Sequence, residues 1–376
     1  MTLSIKKGGS KNLDAPQAVK ALHQEINQSD IALVIFFCSP AYDLKALATA
    51  FNYYFVGVKV IGCTTAGEIT PLGYLHNSLV GVSLSSHDFD ISTHCIQNLN
   101  LTGVTDFSQQ VVDLKDEITK INPAATIQNM FSFLLIDGLS VLEEVLVSAL
   151  HNSLDGIPLV GGSAGDEVDF GTTSLFYDGQ FYDNCAILVL MHTLHPFKVF
   201  KTQHFVETDK KMVITEADSK NRIVFEINGE PAATEYARLV NLEITELTPM
   251  MFATYPVVLK IGGEYFVRSI QKVNEDGSLT FYCAIDIGLV LTIAKGIDLL
   301  DDLQHAFDKV HAEIGQPELV LGCDCILRHL ELDRKDIKTA AGEIMVKNNV
   351  IGFSTYGEQF NAMHMNQTFT GIAIAD

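Results

Sequence analysis

The sequence predicts an α/β protein built from a repeated β-α-β-loop-β unit, in two domains, with extra antiparallel β structure in the C-terminal one. Three observations predict it. Apolar runs of strand length alternate with segments of helical periodicity. The octet Ile61–Glu68 (IGCTTAGE) returns without a gap as Ile351–Glu358 (IGFSTYGE). From Met250 to Ile287 the pattern changes to short strands separated by turn residues.

In chain order, Ala15–Asn27 carries Ala18, Val19, Leu22 and Ile26 at helical spacing, and Ile31–Phe37 reads as a buried strand. Tyr42–Phe55 reads as a helix, and Val58–Ile61, Ser78–Leu84 and Phe89–Ile96 as strands. Helix Phe107–Ile121 stops before Pro123. The order then repeats with strand Phe131–Ile136, helix Val141–Ser153, strand Leu159–Val160 and strands near Ser174–Tyr177, Asn184–Met191 and Lys198–Thr202. Polar residues cluster over Thr208–Arg222, which places a domain boundary within 208–225 and divides the chain into 31–222 and 223–376. Beyond it, Ile223–Leu239 pairs a strand with a helix across Asn228-Gly229. Strands Val257–Ile261, Tyr265–Ile270 and Leu279–Tyr282 are joined by Gly262-Gly263 and Glu275–Gly277 turns. Helix Gly296–Ile314, strand Glu318–Leu321, helix Arg334–Lys347 and strands Val350–Phe353 and Thr368–Ile374 complete the series.

Composition narrows the function. The 376 residues carry 25 Lys+Arg against 46 Asp+Glu, a net charge of −21, which argues against nucleic acid or an anionic membrane surface as the main ligand. With 47% hydrophobic and 19% charged residues the chain has the makings of a full core. No apolar run approaches the roughly 20 residues of a membrane helix. The first residues, Met1–Lys11, are polar, with no apolar stretch after them. The 7 cysteines have no framework spacing, so reduced thiols in a cytoplasm are expected.

The repeat is the most informative feature. Gly81 and Gly371 lie at the same offset beyond the two octets, and Val160–Asp166 (VGGSAGD) is a third copy with one residue deleted. Asn77, Asn184 and Asn366 open the strand after each loop. The common form is apolar-Gly-x-Ser/Thr-x-x-Gly-acid, with the pairs Gly67-Glu68, Gly165-Asp166 and Gly357-Glu358. Glycine permits a sharp turn at positive φ and close backbone approach. The acid either fixes the loop or faces a ligand. The loops are therefore either equivalent structural turns or the lining of a pocket.

Standard catalytic patterns are missing. No Walker A or G-x-G-x-x-G follows a strand, no G-x-S-x-G surrounds Ser163 or Ser354, and H-E-x-x-H does not occur. The protein is expected not to be an enzyme. Cys323-x-Cys325 reads as buried strand cysteines, because no further ligands complete a zinc spacing. Arg268 and Arg328 are scarce cations that each follow an apolar strand; they suit a carboxylate ligand, or pairing with Glu68, Asp166 or Glu358.

The segments Val60–Ile69, Leu159–Asp166, Ile227–Tyr236, Glu264–Arg268 and Ile351–Glu358, in this order, resemble the FIST sensory proteins across nearly the whole chain. Cys323–Arg328 and Tyr356–Gly371 are similar to the haem-containing, nitric oxide-sensing members. The resemblance implies a cytoplasmic ligand sensor that regulates a histidine kinase or other signalling protein, with haem b as cofactor and nitric oxide as signal. It also leaves room for a homo-oligomer. Covalent haem is excluded by the absence of C-x-x-C-H. Among 12 histidines, His364, between Met363 and Met365 on an expected loop, is the candidate iron ligand. His76, His329 and His204 are the alternatives, and Arg268 and Arg328 are candidates for the propionates. Two other readings stand beside this one: a haem-free sensor of an amino acid or other metabolite, and an enzyme acting through the Gly-Ser/Thr loops.

Overall fold

A computed structural model describes residues 3–167 and 171–376. The repeat resolves into three units. The first runs through strand Ile5–Ser10, helix Ala15–Ile26, strand Ile31–Cys38, helix Leu44–Tyr54, strand Val60–Thr64, hairpin Glu68–Thr70/Gly73–Leu75 and return strand Leu79–Ser85. The second has Asp90–Gln97, helix Val104–Ile121, Met130–Ile136, helix Glu143–Leu154, Leu159–Ser163, hairpin Leu175–Tyr177/Gln180–Tyr182 and return strand Cys185–His192. The third has Phe197–Thr202, helix Leu299–Ile314, Leu319–Cys325, helices Ile326–Arg334 and Lys338–Lys347, Val350–Thr355, hairpin Glu358–Phe360/Met363–Met365 and return strand Phe369–Ile374.

Each unit builds most of one six-stranded sheet, and the three strand orders correspond. The leading strand lies outside the return strand, followed by the two parallel central strands. The hairpin completes a different sheet from its own. The first unit's hairpin pairs with Val350–Thr355, the second's with Val60–Thr64 and the third's with Leu159–Ser163. The exchange closes into a ring, so no unit completes its sheet alone.

The inner faces of the three sheets share one core containing Phe37, Phe133, Leu135, Cys323 and Phe353. Phe37 and Phe353 stack with ring centroids 4.5 Å apart. The outer faces are covered by the helices, each unit contributing its own cluster. Burial on both faces explains why the central strands are continuously apolar. Helix Ala15–Ile26 buries Ala18, Val19, Leu22 and Ile26, and the Asp14 side chain caps it by accepting from the Gln17 amide.

One glycine in each unit shows why the repeat is strict. A Cβ at Gly62, Gly161 or Gly352 would stand 2.5, 2.2 or 1.9 Å from the carbonyl oxygen of Phe36, Leu134 or Gly322 on the neighbouring strand. The loop glycines differ from the expectation. Only Gly67 has positive φ (+132°); Gly165 and Gly357 are held to glycine by close approach instead. The left-handed residues before the return strands are Asn77, Asn184 and Gln367, at φ 52°, 45° and 54°. The equivalence expected at Asn366 is thus displaced by one residue.

The third unit is interrupted between its leading strand and first helix. Residues 205–296 form an antiparallel sheet in the order Glu264–Arg268, Val257–Ile261, Val290–Gly296, Phe205–Asp218, Ile223–Ile227, Leu279–Phe281, Ile270–Val273. Helix Ala232–Val240 packs on its apolar face. The expected division at 222–223 falls inside one hairpin of this module, where Asp218 faces Ile223. The polar segment Thr208–Arg222 is largely strand: in Phe205–Asp218 exposed and buried positions mix, with a register shift between Glu207 and Lys211. The helix expected over Arg334–Lys347 begins only at Lys338, after Asp336 at φ 54°, and an unexpected helix, Ile326–Arg334, precedes it. Among the described residues, no helix is long and apolar enough to cross a membrane.

Candidate functional site

The three loops meet and bond to one another. Ala66 N donates to Ser354 O (3.0 Å) and Ser354 N to Gly67 O (2.7 Å). Ser163 N donates to Gly357 O (2.9 Å), and Gly165 N to Thr64 O (3.1 Å). Every loop therefore holds the other two.

The loop acids point inward. Glu68 is fully buried and accepts from Thr65 Oγ1 (2.6 Å), Ser78 Oγ (2.6 Å) and Ser78 N (3.1 Å). Glu358 repeats this with Thr355 Oγ1 (2.7 Å), Thr368 Oγ1 (2.7 Å) and Thr368 N (3.1 Å). Burial pushes the Glu68 carboxyl up to about 7 and that of Glu358 to about 8, against the pull of these hydrogen bonds. Asp166 instead accepts from the Gly171 and Thr172 amides, both at 2.6 Å, and from the Tyr356 hydroxyl. All three acids fix loops.

The hydroxyls at the equivalent positions Thr64, Ser163 and Ser354 lead outward to different partners. Thr64 Oγ1 accepts from the Ser174 amide (3.0 Å). Gln359 Nε2 lies 3.0 Å from Ser163 Oγ and 3.2 Å from His364 Nδ1. Ser354 Oγ meets His329 Nδ1 at 2.8 Å.

His364 is on the third hairpin, only 2% exposed, rather than on a loop. It lies at the seam where the inserted module meets the three-unit body. Arg268 Nη1 donates to the His364 carbonyl (2.9 Å), so these two expected residues do come together. Arg222 crosses the seam to Glu143 (2.8 Å) and Glu144 (2.6 Å), both in the first turn of helix Glu143–Leu154. The Cys283 thiol donates to Asn366 Oδ1 (2.7 Å). Burial raises Cys283 to about 12 and lowers His364. Burial pushes the Glu144 carboxyl up, but His364, Arg222, the Ala284 amide and Arg268 together bring it below its usual range. Arg268 Nε and Gln359 Oε1 are buried here without hydrogen-bond partners.

These surroundings do not fit a haem. A Cβ on Gly357 would sit 2.2 Å from His364 Cε1, so backbone already occupies one side of the ring. The larger surface grooves are lined by other residues. The ring's neighbours are polar and charged, whereas a haem face needs apolar walls.

Arg328 lies apart from His364. It is fully buried, with Nε on Asp324 Oδ1 (2.6 Å) and Nη1 on His204 Nδ1 (2.9 Å). Tyr74 donates to the other Asp324 oxygen (2.6 Å), and His204 Nε2 meets Glu331 (2.7 Å). Arg328 thus pairs with an acid on its own segment and not with a loop acid. Cys323 and Cys325 are buried in strand Leu319–Cys325, as expected.

The sequence reading passed over Arg222, Glu143, Glu144 and Cys283. Only Arg222 carried a signal, as a cation closing the polar run at the expected boundary.

Three α/β units with exchanged hairpins, with an antiparallel module inserted in the third, define a mixed α/β protein of three repeated units. The chain belongs to the FIST family: the FIST N domain model matches residues 32–230 and the FIST C domain model matches 232–361. FIST domains are signalling sensor domains. The chain is similar to "Uncharacterized protein MJ1623" of Methanocaldococcus jannaschii, 22% identical over 388 aligned positions that cover 92% of this chain and 74% of the relative. Among solved structures, one titled "Cyanuric acid hydrolase: evolutionary innovation by structural concatenation" aligns over 100% of this chain and 99% of that one, at 8% identity and a TM-score of 0.37. A score that low bears on neither fold nor function.

Proposed function

We propose that this protein is a cytoplasmic sensor of a small polar metabolite, bound at the seam between the inserted module and the three-unit body. One observation carries the reading. Charged and polar side chains from both sides converge there, and Arg268 Nε and Gln359 Oε1 are buried without partners. Groups of this kind are costly to bury unless something completes their hydrogen bonds. A free guanidinium donor suits a carboxylate and a free amide oxygen suits an ammonium, so an amino acid or similar metabolite matches both.

A ligand that prefers one arrangement of the seam shifts the module's docking on the body. That shift is the signal, read by a partner protein, with a histidine kinase as the first candidate. The ligand is bound and not converted. Among the described residues Ser354 Oγ meets the His329 ring as a nucleophile would meet a base, but Ser354 is fully buried.

A thermal-shift panel of amino acids and small carboxylic acids tests the reading. At least one compound should raise the melting temperature, and Arg268→Ala, with an unchanged circular dichroism spectrum, should abolish that shift. Haem b on His364 with nitric oxide as signal rests on resemblance alone, and hemin titration tests it. A Soret band lost in His364→Ala, with no shift from any metabolite, would replace the present reading. Kinase autophosphorylation with and without the liganded protein tests the output.

A further inference from the structure

We propose that His76, His329 and Asp333 form a binding site for a divalent transition-metal ion, with zinc as the type. One ligand atom from each of these residues lies within 4.8 Å of the others. His329 and Asp333 are four residues apart on helix Ile326–Arg334, which puts them on one face. His76 directly follows the first unit's hairpin, and its ring lies 4.8 Å from that of His329.

The second observation is the state of His329. The residue is 3% exposed, and its Nε2 is buried without a hydrogen-bond partner, 3.6 Å from Asp333 Oδ2. Its Nδ1 is engaged by Ser354 Oγ at 2.8 Å. When Nδ1–H donates to the serine, Nε2 keeps its lone pair and aims it into the cluster. Ligating histidines are commonly fixed this way, by a hydrogen bond on the far nitrogen.

Lys338 already places a cation among the same donors. Its Nζ is 3.1 Å from His76 Nε2 and 3.1 Å from Asp333 Oδ1. The lysine also lines an open groove with Pro71, Leu72, Tyr74 and Gly342, which gives an ion a way in and the side chain somewhere to go. An ion would take the place of the ammonium.

Two imidazoles and one carboxylate select zinc-like ions over magnesium or calcium, which prefer oxygen ligands. Three protein ligands leave a fourth position open. The ion would tie the first unit's hairpin to the third unit's helix, across one arm of the hairpin exchange.

The test is titration of the full chain with Zn2+ by calorimetry and with Co2+ by visible absorption. One equivalent should bind, with tetrahedral Co2+ bands. His76→Ala and Asp333→Asn alter exposed positions, so they should leave the circular dichroism spectrum unchanged and weaken binding by about tenfold or more. Lys338→Met should tighten it. His364→Ala, which alters the separate Glu144, Cys283 and His364 cluster, should leave it as in the wild type. Wild-type binding below one equivalent, or wild-type affinity in both His76→Ala and Asp333→Asn, overturns the site. Loss of binding in His364→Ala alone transfers it to the seam and equally overturns it. Unchanged or weaker binding in Lys338→Met overturns the displacement of the lysine.

Discussion

The first and third loops solve a structural demand in one way, and the second loop solves it in another. In the first and third, the acid after the loop glycine turns back to the Ser or Thr at the start of the return strand: Glu68 to Ser78 and Glu358 to Thr368. In the second, Asp166 turns to the Gly171 amide of its own loop and to Tyr356 of the third loop, and Asp137, at the end of the first central strand, accepts from the Asn184 amide at 2.5 Å and from the Leu139 amide at 2.9 Å. Each unit needs a buried carboxylate where the return strand begins. Which residue supplies it is free. The duplication has preserved an interaction, and the aligned residue only where the local path allows.

The largest test of this comparison is steric. A Cβ at Gly357 would lie 2.2 Å from His364 Cε1, against 3.1 Å from Ala66 N for Gly165 and 3.2 Å from His329 Cε1 for Gly67. Gly357→Val is expected to destabilise by about 3 kcal/mol or more, because a packed ring has to move. Gly165→Val should cost about 1–2 kcal/mol. Gly67→Val should fall between them, since its φ of +132° adds backbone strain. Denaturant melts give the ranking, and equal costs would mean that the loops are interchangeable after all.

Next come the carboxylates. Glu358→Ala strips the buried Thr368 amide of its acceptor and Asp137→Ala strips the buried Thr173 hydroxyl and the half-buried Asn184 and Leu139 amides of theirs, for an expected loss of about 2–3 kcal/mol each. Asp166→Ala should cost about 1 kcal/mol, because the Gly171 and Thr172 amides it would release belong to exposed residues and the Tyr356 hydroxyl of the third loop keeps the Asp166 amide as a donor. If Asp166→Ala proves as costly as Glu358→Ala and Asp137→Ala is mild, the exchange of roles is wrong.

The pH dependence gives a smaller effect with a definite sign. Glu68 and Glu358 titrate near 7 and 8 in the folded chain, against an ordinary value of 4.5. Between those values the folded state holds protons that the unfolded chain has released. Stability from these two groups is therefore present in full below about 4.5 and declines as pH rises toward 8. The buried histidines act in the opposite sense. His329, lowered to about 3, favours the folded state as pH rises through the ordinary histidine value. The difference between the wild type and Glu68→Gln or Glu358→Gln separates the two contributions. The Gln variants should lose less stability than the wild type between pH 5 and 8. Equal slopes in the wild type and in both Gln variants would remove these two acids from the pH dependence.

The units were legible in the sequence because long apolar strands and amphipathic helices carry strong periods. The loops were legible because glycine packed against a neighbouring carbonyl admits no substitute. The hairpins were not: Glu68–Thr70 and Met363–Met365 are three residues each, too short to show alternation. Their exchange between sheets leaves no trace in local sequence. His364 was therefore expected on a loop, although its hairpin completes another unit's sheet. The strand Phe205–Asp218 was hidden for a related reason, since much of its length is exposed and its polar residues mask the alternation. At the seam, His364 and Arg268 were visible by residue type, but their meeting depends on a backbone carbonyl, which has no sequence signal. His76 and His329 were each visible as candidates, and only the exchanged hairpin brings them within reach of each other.

The smallest expected effect concerns what both kinds of loop still share. Asn77 and Asn184 occupy the left-handed region at φ 52° and 45°, one residue before the Ser78 and Cys185 that begin the buried return segments. Asparagine tolerates this conformation because its short polar side chain bonds locally, whereas alanine bears the same Cβ against the following carbonyl without that compensation. Neither asparagine is buried, so packing contributes little to a substitution. Asn77→Ala and Asn184→Ala should each cost about 1 kcal/mol, and the glycine variants should stay within a few tenths of the wild type. Gln367 holds the same position at φ 54° without asparagine's tolerance, so the third unit already bears the strain that alanine would introduce in the others. Matching costs at Asn77 and Asn184 would show that the entry to the return strand is one turn in both units, whichever acid closes it. A measurable cost at Asn77 with none at Asn184 would extend the difference between the loops from the acid to the backbone itself.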